Sequence, residues 1–447
     1  MQHYEAYKSS TIEDVDKIPD TWSELRFRYI FKNSKGLTIT KENLQDDGIP
    51  CINYGEIHSK YGFEVDIKRD SLKCVADSYL VTDPKSRVNA GDLIFADTSE
   101  DVDGAGNFTQ VLSDGPAFAG YHTIIARPSR DYNPRFLAYF VESNAFRSQI
   151  QRSIKGVKVF SITNAILKNT FIVIPSTFEQ KRIAEYLDSQ TTRIDSLIKE
   201  KENFITLLEE KRQALISHVV TKGLDDKVEM KDSGVGFIGE IPKHWVLNRL
   251  KQNLKKPMMY GANESAEDEN PEHPRYIRIT DMRQDGSLKD STFKSLKPNI
   301  AAPYILDDGD VLLARSGATV GKSFIYSSKF GACCFAGYLI KVSVNRRLLL
   351  PEFLYYVTNS HFYWEYIAGS QIQATIQNVS AEKYANLPIP LPPIEEQQKI
   401  IVELEKTLSK LNSIADEVQS SIKLLKEHRS ALISAAVTGK IDVREEV

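Results

Sequence analysis

A stretch of ten residues in the second half of the chain combines glycine, serine and lysine in a way that could bind phosphate. Residues 314–323 read ARSGATVGKS. The nucleotide-binding pattern G-x-x-x-x-G-K-[ST] needs a glycine at its first position and a helix after the lysine. Ser316 stands where that glycine should be, and the residues after Lys322 are aromatic and β-branched, as in a strand. We therefore predict a strand-turn-strand that binds no nucleotide.

Residue patterns that indicate a metal or disulfide site are missing from the sequence. The four cysteines form no C-x-x-C pair and have no histidine cluster nearby, which predicts buried free thiols in a reducing compartment. Residues 101–104 begin like a calcium loop but lack its later acidic ligands. We expect no catalytic residue, no metal and no cofactor bound by this chain.

The length, charge and hydropathy of the chain restrict its number of domains, its partners and its location. A chain of 447 residues exceeds what one hydrophobic core usually organises, so we expect two or more domains. With 57 basic and 60 acidic residues, any nucleic-acid contact must come from local patches. No apolar run reaches the ~18 residues that cross a bilayer, and the N-terminus lacks a signal-peptide core. We expect a cytoplasmic protein without a membrane partner.

The two halves of the chain repeat the same sequence features in the same order. Trp245 follows Trp22 at an offset of 223 residues, and later repeats lie 217 or 218 residues apart. The paired segments are KIPDTW with EIPKHW, NAGDLIFA with DDGDVLLA, FAGY with FAGY, PRFLAYF with PEFLYYV, and RQALISHVVT with RSALISAAVT. The sequence therefore predicts two homologous halves, each near the usual size of a domain.

Each half consists of a globular part and a long helix. Short apolar strands at 92–95 and 310–313, with helical segments at 135–151 and 352–367, predict a mixed α/β domain. Residues 179–221 contain no proline or glycine and follow a heptad pattern. Each helix would be ~65 Å long at 1.5 Å per residue.

Sustained heptads need a packing partner, which could be the adjoining globular domain or the other helix. We favour mutual packing as an antiparallel coiled coil with one domain at each end, a dumbbell with pseudo-twofold symmetry. The predicted coiled-coil core comprises Leu187, Ile194, Leu208, Leu215, Leu404, Leu411, Val418, Leu425 and Leu432. Four residues inserted in both helices, ~6 Å of length, should then widen the distance between the domains.

Several of these motifs resemble one protein family. They are the I-P-x-x-W opening of each globular part, the linker DSGVGFIGEIPKHW, the segment IPLPPIEEQQKI, the turn ARSGATVGK and the R-x-A-L-I-S-x-x-V-T helix ends. Over essentially its whole length the chain resembles the specificity subunit of a type I restriction-modification enzyme. It departs from that pattern at Ser176 and Thr177, where a double proline is usual.

The resemblance implies a fold, a function and partners. It implies two tandem target recognition domains, each of which reads one half of a split double-stranded DNA sequence, joined by the two long conserved helices. It also implies two methyltransferase subunits that use S-adenosylmethionine and, where the system has them, two motor-nuclease subunits that use ATP and Mg²⁺. The implied order is N-terminal arm 1–16, recognition domain 17–175, spacer helix 176–222, linker 223–239, recognition domain 240–390, spacer helix 391–438 and tail 439–447.

Candidate DNA contacts follow from residue type. In the second domain Arg315 suits a guanine edge and Lys322 suits a phosphate, with the small residues Ser316 and Thr319 between them. The alternative for Arg315 is a structural ion pair, because residue type alone does not separate the two roles. Further candidates in the second domain are Tyr276, Arg278, Gln371, Gln373 and Gln377. The glutamines could contact adenine edges or be plain surface residues.

The first domain has a basic stretch at the position equivalent to these glutamines. Arg152, Lys155 and Lys158 surround a glycine, as in a loop that contacts phosphate, although such a run can also be a solvated loop. Where Arg315 stands in the second domain the first has Asp97, which fits domains that read different half-sites.

Two other functions are open to such a chain. A self-contained DNA methyltransferase or nuclease would need an N-P-P-[YF] or D-P-P-[YF] motif with a glycine-rich cofactor loop, or a carboxylate-lysine nuclease core, and the sequence has none of these. A coiled-coil scaffold without DNA sequence specificity suits the heptads, but it does not explain duplicated domains with diverged loops. We expect a non-catalytic specificity subunit.

Overall fold

The computed structural model describes residues 3–154, 159–283, 286–317, 319–371 and 378–446. The chain divides into two compact units. Unit 1 consists of Met1–Lys201 and Ser420–Val447, and unit 2 consists of Glu202–Gln419. Each unit therefore holds one of the predicted globular domains and a segment of both long helices.

The strands of unit 1 are mostly short. They are β1 (Tyr7–Ser9), β2 (Lys17–Pro19), β3 (Ser23–Arg26), β4 (Phe31–Lys35), β5 (Ile49–Ile52), β6 (Glu64–Val65), β7 (Cys74–Val75), β8 (Leu93–Ala96), β9 (Thr98–Ser99), β10 (Phe108–Val111), β11 (Phe118–Ala119), β12 (Thr123–Pro128), β13 (Phe160–Ser161) and β14 (Phe171–Ile174). The central sheet has the order β4-β12-β8-β10-β6. Its pairs are antiparallel except β10 with β6.

Unit 1 also contains six α-helices before the first long helix among the residues that the structure describes. They are α1 (Phe27–Ile30), α2 (Tyr54–Ser59), α3 (Tyr79–Thr82), α4 (Pro134–Glu142), α5 (Asn144–Ser153) and α6 (Asn164–Asn169), and the long helix is α7 (Thr177–Lys222), which continues into unit 2. The helix predicted at 135–151 is broken between α4 and α5, because the main chain of Ser143 is extended there. Ser143 itself is buried and donates to the Phe140 carbonyl.

Unit 2 repeats this plan. Its strands are β15 (Met230–Asp232), β16 (Glu240–Pro242), β17 (Val246–Arg249), β18 (Met259–Tyr260), β19 (Arg275–Ile277), β20 (Val311–Ala314), β21 (Ser323–Ile325), β22 (Cys333–Phe335), β23 (Leu339–Val342) and β24 (Pro388–Leu391). Its helices are α8 (Pro298–Ala301), α9 (Pro351–Val357), α10 (His361–Gln371), α11 (Ala381–Ala385) and α12 (Ile394–Val437), the last of which continues into unit 1.

The strand pairings of the two units correspond. In unit 2 the sheet order β18-β23-β20-β21 matches β4-β12-β8-β10 of unit 1, and all its pairs are antiparallel. The parallel pair β19 with β22 matches β5 with β11, and the antiparallel pair β17 with β24 matches β3 with β14. The mixed α/β class and the tandem duplication predicted from sequence are therefore confirmed.

The two long helices run antiparallel within each unit. In unit 1 Arg429 contacts Asp195 at 2.9 Å, while Arg182 near the start of α7 donates to the carbonyl of Arg444 beyond the end of α12. In unit 2 Arg212 donates to Asn412 at 3.4 Å. The predicted long helices are confirmed.

The predicted seam is buried to different degrees. Leu187, Ile194, Leu208, Leu404, Leu411 and Leu432 are buried, whereas Leu215, Val418 and Leu425 are half-buried. In unit 2 the helix residues Leu208, Leu404 and Leu411 share one hydrophobic cluster with Trp245 and the sheet residue Leu313. The helix segments of this unit thus pack on each other and on their own globular domain, so both alternatives weighed from sequence contribute.

One glutamine near the start of each long helix joins that helix to its globular domain. Gln180 and Gln397 are both buried. The amide oxygen of Gln180 accepts from the main-chain N–H of Asn133 at 2.8 Å, next to α4, and that of Gln397 accepts from Leu350 at 2.8 Å, next to α9. Because a buried N–H needs an acceptor, this repeated glutamine fixes the position of a second helix in each unit.

Cys51, Cys74, Cys333 and Cys334 are free and buried, as predicted. Burial raises the pKa of the Cys51 and Cys334 thiols to about 12, so they are protonated at neutral pH. None of the described helices combines the length and the apolar character that crossing a membrane requires.

Candidate nucleic-acid interface

The same main-chain frame supports one loop residue in each unit. In unit 1 the N–H of Asp97, directly after β8, donates to the carbonyl of His122 at 3.0 Å, and its carbonyl accepts from Ile162 at 2.8 Å. In unit 2 the N–H of Arg315, directly after β20, donates to Tyr338 at 2.9 Å, and its carbonyl accepts from Val379 at 2.8 Å. Asp97 and Arg315 therefore occupy equivalent places, as their sequence alignment predicted.

The ARSGATVGKS stretch is a hairpin loop. Strands β20 and β21 pair antiparallel, and at the base of the loop the main-chain N–H of Ala314 donates to the carbonyl of Lys322 at 2.8 Å. Gly317 and Gly321 have φ of 81° and 88°, in the left-handed region that favours glycine. A strand follows the lysine, so the loop lacks the helix N-terminus of a nucleotide-binding loop. The predicted strand-turn-strand is confirmed.

Arg315 has a stacking partner and, among the residues that the structure describes, no acidic one. Its guanidinium lies over the ring of Tyr260, 4.7 Å from the centroid. Within the described ranges it forms no ion pair, and its Nε is buried without a hydrogen-bond partner. An arginine stacked on an aromatic ring is held in place while the outer nitrogens of its planar fork stay available. This arrangement disfavours the ion-pair alternative and leaves Arg315 suited to an external acceptor.

The other basic candidates of unit 2 have internal partners. The Lys322 ammonium donates to the carbonyl of Met282 at 2.8 Å, and burial, together with nearby Lys289, lowers its pKa. Arg278 binds the buried carboxylate of Asp281 through Nε and an outer nitrogen, at 3.1 and 2.9 Å. Both side chains therefore brace the loops around the hairpin, and Arg278 has little capacity left for a ligand.

Tyr276 corrects a sequence expectation. Its side chain is only 3% exposed, and its hydroxyl donates to the carbonyl of Ala262 at 2.8 Å. A buried ring with a satisfied hydroxyl cannot reach a base edge, so Tyr276 is a core residue. The sequence pattern Arg-Tyr-Ile-Arg did not distinguish the inward from the outward positions of β19.

The small and amide candidates lie at the edge of the described structure. Ser316 forms an antiparallel bridge with Asn378, and Thr319 is exposed at the hairpin turn. Gln371 ends α10, and Gln373 and Gln377 lie outside the described residues. The bridge at Ser316 corresponds to the pairing of β9 with β13 in unit 1.

The basic stretch of unit 1 is described only at its first residue. Arg152, near the end of α5, contacts Glu13 at 2.8 Å and Asp14 at 2.5 Å. Hydrogen bonds from Ser148 and Arg152 lower the pKa of the Asp14 carboxyl. Arg152 thus anchors the N-terminal arm, while Lys155 and Lys158 lie outside the described residues.

Unit 1 has a group of partly exposed residues of which the sequence analysis singled out only Asp97. The imidazole Nδ1 of His122 lies 3.1 Å from Oδ1 of Asp97, and the His122 ring meets Tyr54 edge to face at 5.4 Å. Tyr54 also lines a cavity of about 700 Å³ together with His58 and Asn107. The sequence carried one signal of this difference between the units. One residue lies between the repeated FAGY segment and β12, whereas none lies between FAGY and β23, because Thr123 pairs with Ala96 as Leu339 pairs with Ala314.

His58 and Asn107 support the loop on the far side of this cavity. One ring nitrogen of His58 donates to the Thr98 carbonyl at 2.8 Å, and the other accepts from the Asn107 amide at 2.9 Å. Arg147 donates in turn to Asn107 at 2.6 Å. Because each polar atom has a partner, this network fixes the loop after β9. In the part of the chain that the structure describes, no three His, Cys, Asp or Glu side chains are grouped to hold a metal ion.

Comparison with known proteins identifies the family. The family model described as type I restriction modification DNA specificity domain matches residues 19–207 and 242–424. These two matches cover most of the chain and coincide with the internal repeat. The chain belongs to this family.

Curated relatives and solved structures agree with this assignment. The StySPI specificity subunit of Salmonella potsdam is 22% identical over 434 residues, which cover 95% of this chain and 90% of that protein. The EcoBI specificity subunit of Escherichia coli is 23% identical and covers 96% and 88%.

The fold is shared with solved specificity subunits. A chain from a structural study of complex assembly and conformational transition in the type I R-M system matches with a TM-score of 0.71, at 19% identity over 95% of this chain and 99% of that one. The HsdS subunit from Thermoanaerobacter tengcongensis matches with a TM-score of 0.51, at 19% identity over 97% and 100%.

Proposed function

We propose that this chain is the non-catalytic specificity subunit of a type I restriction-modification complex. Unit 1 reads one half of a bipartite double-stranded DNA target, and unit 2 reads the other. The family assignment supports the role in sequence specificity, and the duplicated fold supports one recognition domain for each half-site.

The single observation that carries this proposal is the repeated frame with diverged side chains. The main-chain bonds around Asp97 are the same as those around Arg315, yet the two side chains have opposite charge. A structural role would favour the same residue in both copies. Two domains that read different base pairs need different side chains on the same support.

The proposed DNA contacts of unit 2 centre on the hairpin. Arg315 suits the O6 and N7 atoms of guanine, while Ser316 and Thr319 allow the backbone to approach the duplex. Lys322 supports the loop and adds positive charge beside it. Gln371, Gln373 and Gln377 are proposed as base contacts, and Lys155 and Lys158 as phosphate contacts of unit 1. Arg152 is proposed mainly as the anchor of that segment.

The long helices offer a matching surface for partners. Leu207 of unit 2 and Leu424 of unit 1 are 58% and 65% exposed, and they are equivalent positions of the repeat, 217 residues apart. Leu197 and Ile414 form a second exposed pair with the same offset. Each unit thus presents two exposed apolar side chains at equivalent positions, one from each helix, which fits two copies of one partner.

We propose that these partners are two methyltransferase subunits, which use S-adenosylmethionine. Where the system has motor-nuclease subunits, two of them join and use ATP and Mg²⁺. We propose that the complex acts in the cytoplasm, because its substrate is DNA. Glutamate substituted for Leu207 and Leu424 together should prevent co-purification with the methyltransferase subunit, whereas Gln419→Glu adds the same charge at an exposed position and should not.

Single-molecule methylation sequencing tests the function directly. DNA is taken from cells that express this chain with its cognate methyltransferase subunit and from cells that lack it. A new split motif with adenines modified in both halves is the expected result. A stable complex that produces no new motif would refute the proposal and favour a scaffold without sequence specificity.

A further inference from the structure

His122 of unit 1 has an unusual backbone and an exposed side chain. It is the non-glycine residue with positive φ in the described part of the chain, at 54°. It stands directly before β12, and its side chain is 55% exposed. A left-handed conformation is unfavourable for a residue with a Cβ, and such positions concentrate at functional sites.

The partner of His122 fixes its hydrogen-bonding character. Nδ1 lies 3.1 Å from Oδ1 of Asp97, and because a carboxylate only accepts, Nδ1 carries the hydrogen. Neither Nε2 of His122 nor Oδ2 of Asp97 has a hydrogen-bond partner among the residues that the structure describes. In the neutral ring Nε2 is then an acceptor, so the pair presents two acceptors.

Aromatic contacts hold this pair in place. The His122 ring meets Tyr54 at 5.4 Å and Tyr121 at 6.0 Å, both edge to face. In unit 2 the guanidinium of Arg315 lies over Tyr260 at 4.7 Å. In both units, therefore, a polar side chain at the loop is oriented by a neighbouring tyrosine, which reduces the entropy lost on binding.

The same frame carries opposite hydrogen-bond chemistry in the two units. His122 and Tyr338 are equivalent, because their carbonyls accept from Asp97 and Arg315 respectively. Unit 1 presents acceptors at this place, and unit 2 presents the donors of an arginine. In the major groove acceptors match the exocyclic amino groups of cytosine and adenine, and arginine matches guanine.

We infer that Asp97 and His122 are the base-reading pair of unit 1 and recognise the exocyclic amino group of a cytosine or an adenine in its half-site. This inference rests on the proposed function and extends it to a pair that contains neither arginine nor lysine. A purely structural role explains the pair poorly. A hydrogen bond between partly exposed side chains contributes little to stability, and the backbone of His122 is itself unfavourable.

The test uses the complete complex with its methyltransferase subunit. Asp97→Asn keeps the shape of the side chain but replaces one acceptor oxygen with a donor amide. Methylation sequencing should show that one position of the unit 1 half-site becomes degenerate, with about a tenfold loss of discrimination, while the other half-site is unchanged. The matched control is Asp131→Asn, an exposed aspartate beyond the opposite end of β12, which should leave the motif intact.

Two further outcomes of the methylation experiment distinguish failure of the inference from failure of the proposed function. If Asp97→Asn leaves both half-sites unchanged, the inference is overturned. If the wild-type complex yields no split motif, the proposed function fails, and this result is distinct from an unchanged motif in the variant.

Loss of all methylation by Asp97→Asn is resolved by a second measurement. The purified variant complex is tested for binding to duplexes that carry each base at each half-site position. A flat profile at one unit 1 position supports the inference, and a wild-type profile overturns it. His122→Asn provides an independent variant, because asparagine tolerates the left-handed backbone, and it should relax the same position.

Discussion

The indole Nε1 of Trp245 donates a hydrogen bond to Oε1 of Glu396 at 3.1 Å. Trp22 makes the same bond to Glu179 at 3.2 Å. Both indoles are fully buried, so each I-P-x-x-W segment is tied to the first turn of a long helix. A buried N–H that loses its acceptor lowers the stability of the fold. This is a physical reason for both partners to recur in both halves.

Replacement of Glu396 by alanine should destabilise unit 2. The carboxylate accepts from Trp245 and also contacts His244 at 2.8 Å, so its loss should cost about 1–3 kcal/mol. Thermal unfolding measures the effect. In a Trp245→Phe background, which lacks the indole N–H, the same change should cost less. Equal costs in the two backgrounds would show that the hydrogen bond is not responsible.

The two glycines of the hairpin should respond differently to alanine. Gly317 has positive φ but open space around it, so Gly317→Ala should cost ~1–2 kcal/mol from the backbone alone. At Gly321 an added Cβ would also lie 2.8 Å from the Trp364 ring, and the cost should rise to roughly 3 kcal/mol. Urea unfolding of both variants compares the costs. A smaller effect at Gly321 would contradict this packing.

Replacement of Arg315 by lysine should change specificity more than affinity. Lysine keeps the positive charge but lacks the planar fork that matches guanine and stacks on Tyr260. We expect a loss of about 1–3 kcal/mol at one base pair of the unit 2 half-site, with a salt dependence of DNA binding that is nearly unchanged. Binding is measured on duplexes substituted at each position. A uniform loss across all sequences would instead indicate a phosphate contact.

The C-terminal tail should make unit 1 sensitive to acid. The hydrogen bond from Arg444 lowers the pKa of the Asp442 carboxyl, and the Arg444 guanidinium also lies 4.8 Å from the centroid of Tyr4. A carboxyl with a depressed folded-state pKa stabilises the fold above its unfolded value of about 3.9. That contribution is lost as the pH falls through the folded value.

Arg444→Ala should therefore reduce stability at neutral pH and flatten the loss of stability below about pH 4. Unfolding midpoints across this pH range provide the measurement. Arg130→Ala removes an exposed positive charge of the same unit and should leave the acid response as in the wild type. The same pH profile for Arg444→Ala and the wild-type chain would refute this role of the tail.

Sequence reasoning succeeded where a pattern extends over many residues. The heptads of α7 and α12, the duplicated halves and the strand-turn-strand at Arg315 all follow from periodicity and turn chemistry, which are local properties. It failed where a choice depends on which face of a short element is buried. Tyr276 and Arg278 are close neighbours, yet one is in the core and the other is paired with Asp281.

The candidate DNA contacts were also predicted only in part from the sequence. Residue type selected Arg315, Lys322 and Arg152 alike, because all three are basic residues near predicted loops. Only the structure separates Arg315, stacked and without an acidic partner in the described residues, from Lys322 and Arg152, which are bound internally. Composition cannot report these contacts, since each partner lies far away along the chain.

The sequence by itself determined the family, the tandem organisation and the two long helices, because internal repeats and heptad periodicity depend only on which residues follow one another along the chain. Only the tertiary structure decided that Asp97 and His122 stand at the place of Arg315 and Tyr338. Their equivalence rests on main-chain hydrogen bonds between β8 and β12 and between β20 and β23. Such bonds depend on strand register, and register is set by the packing of the whole sheet.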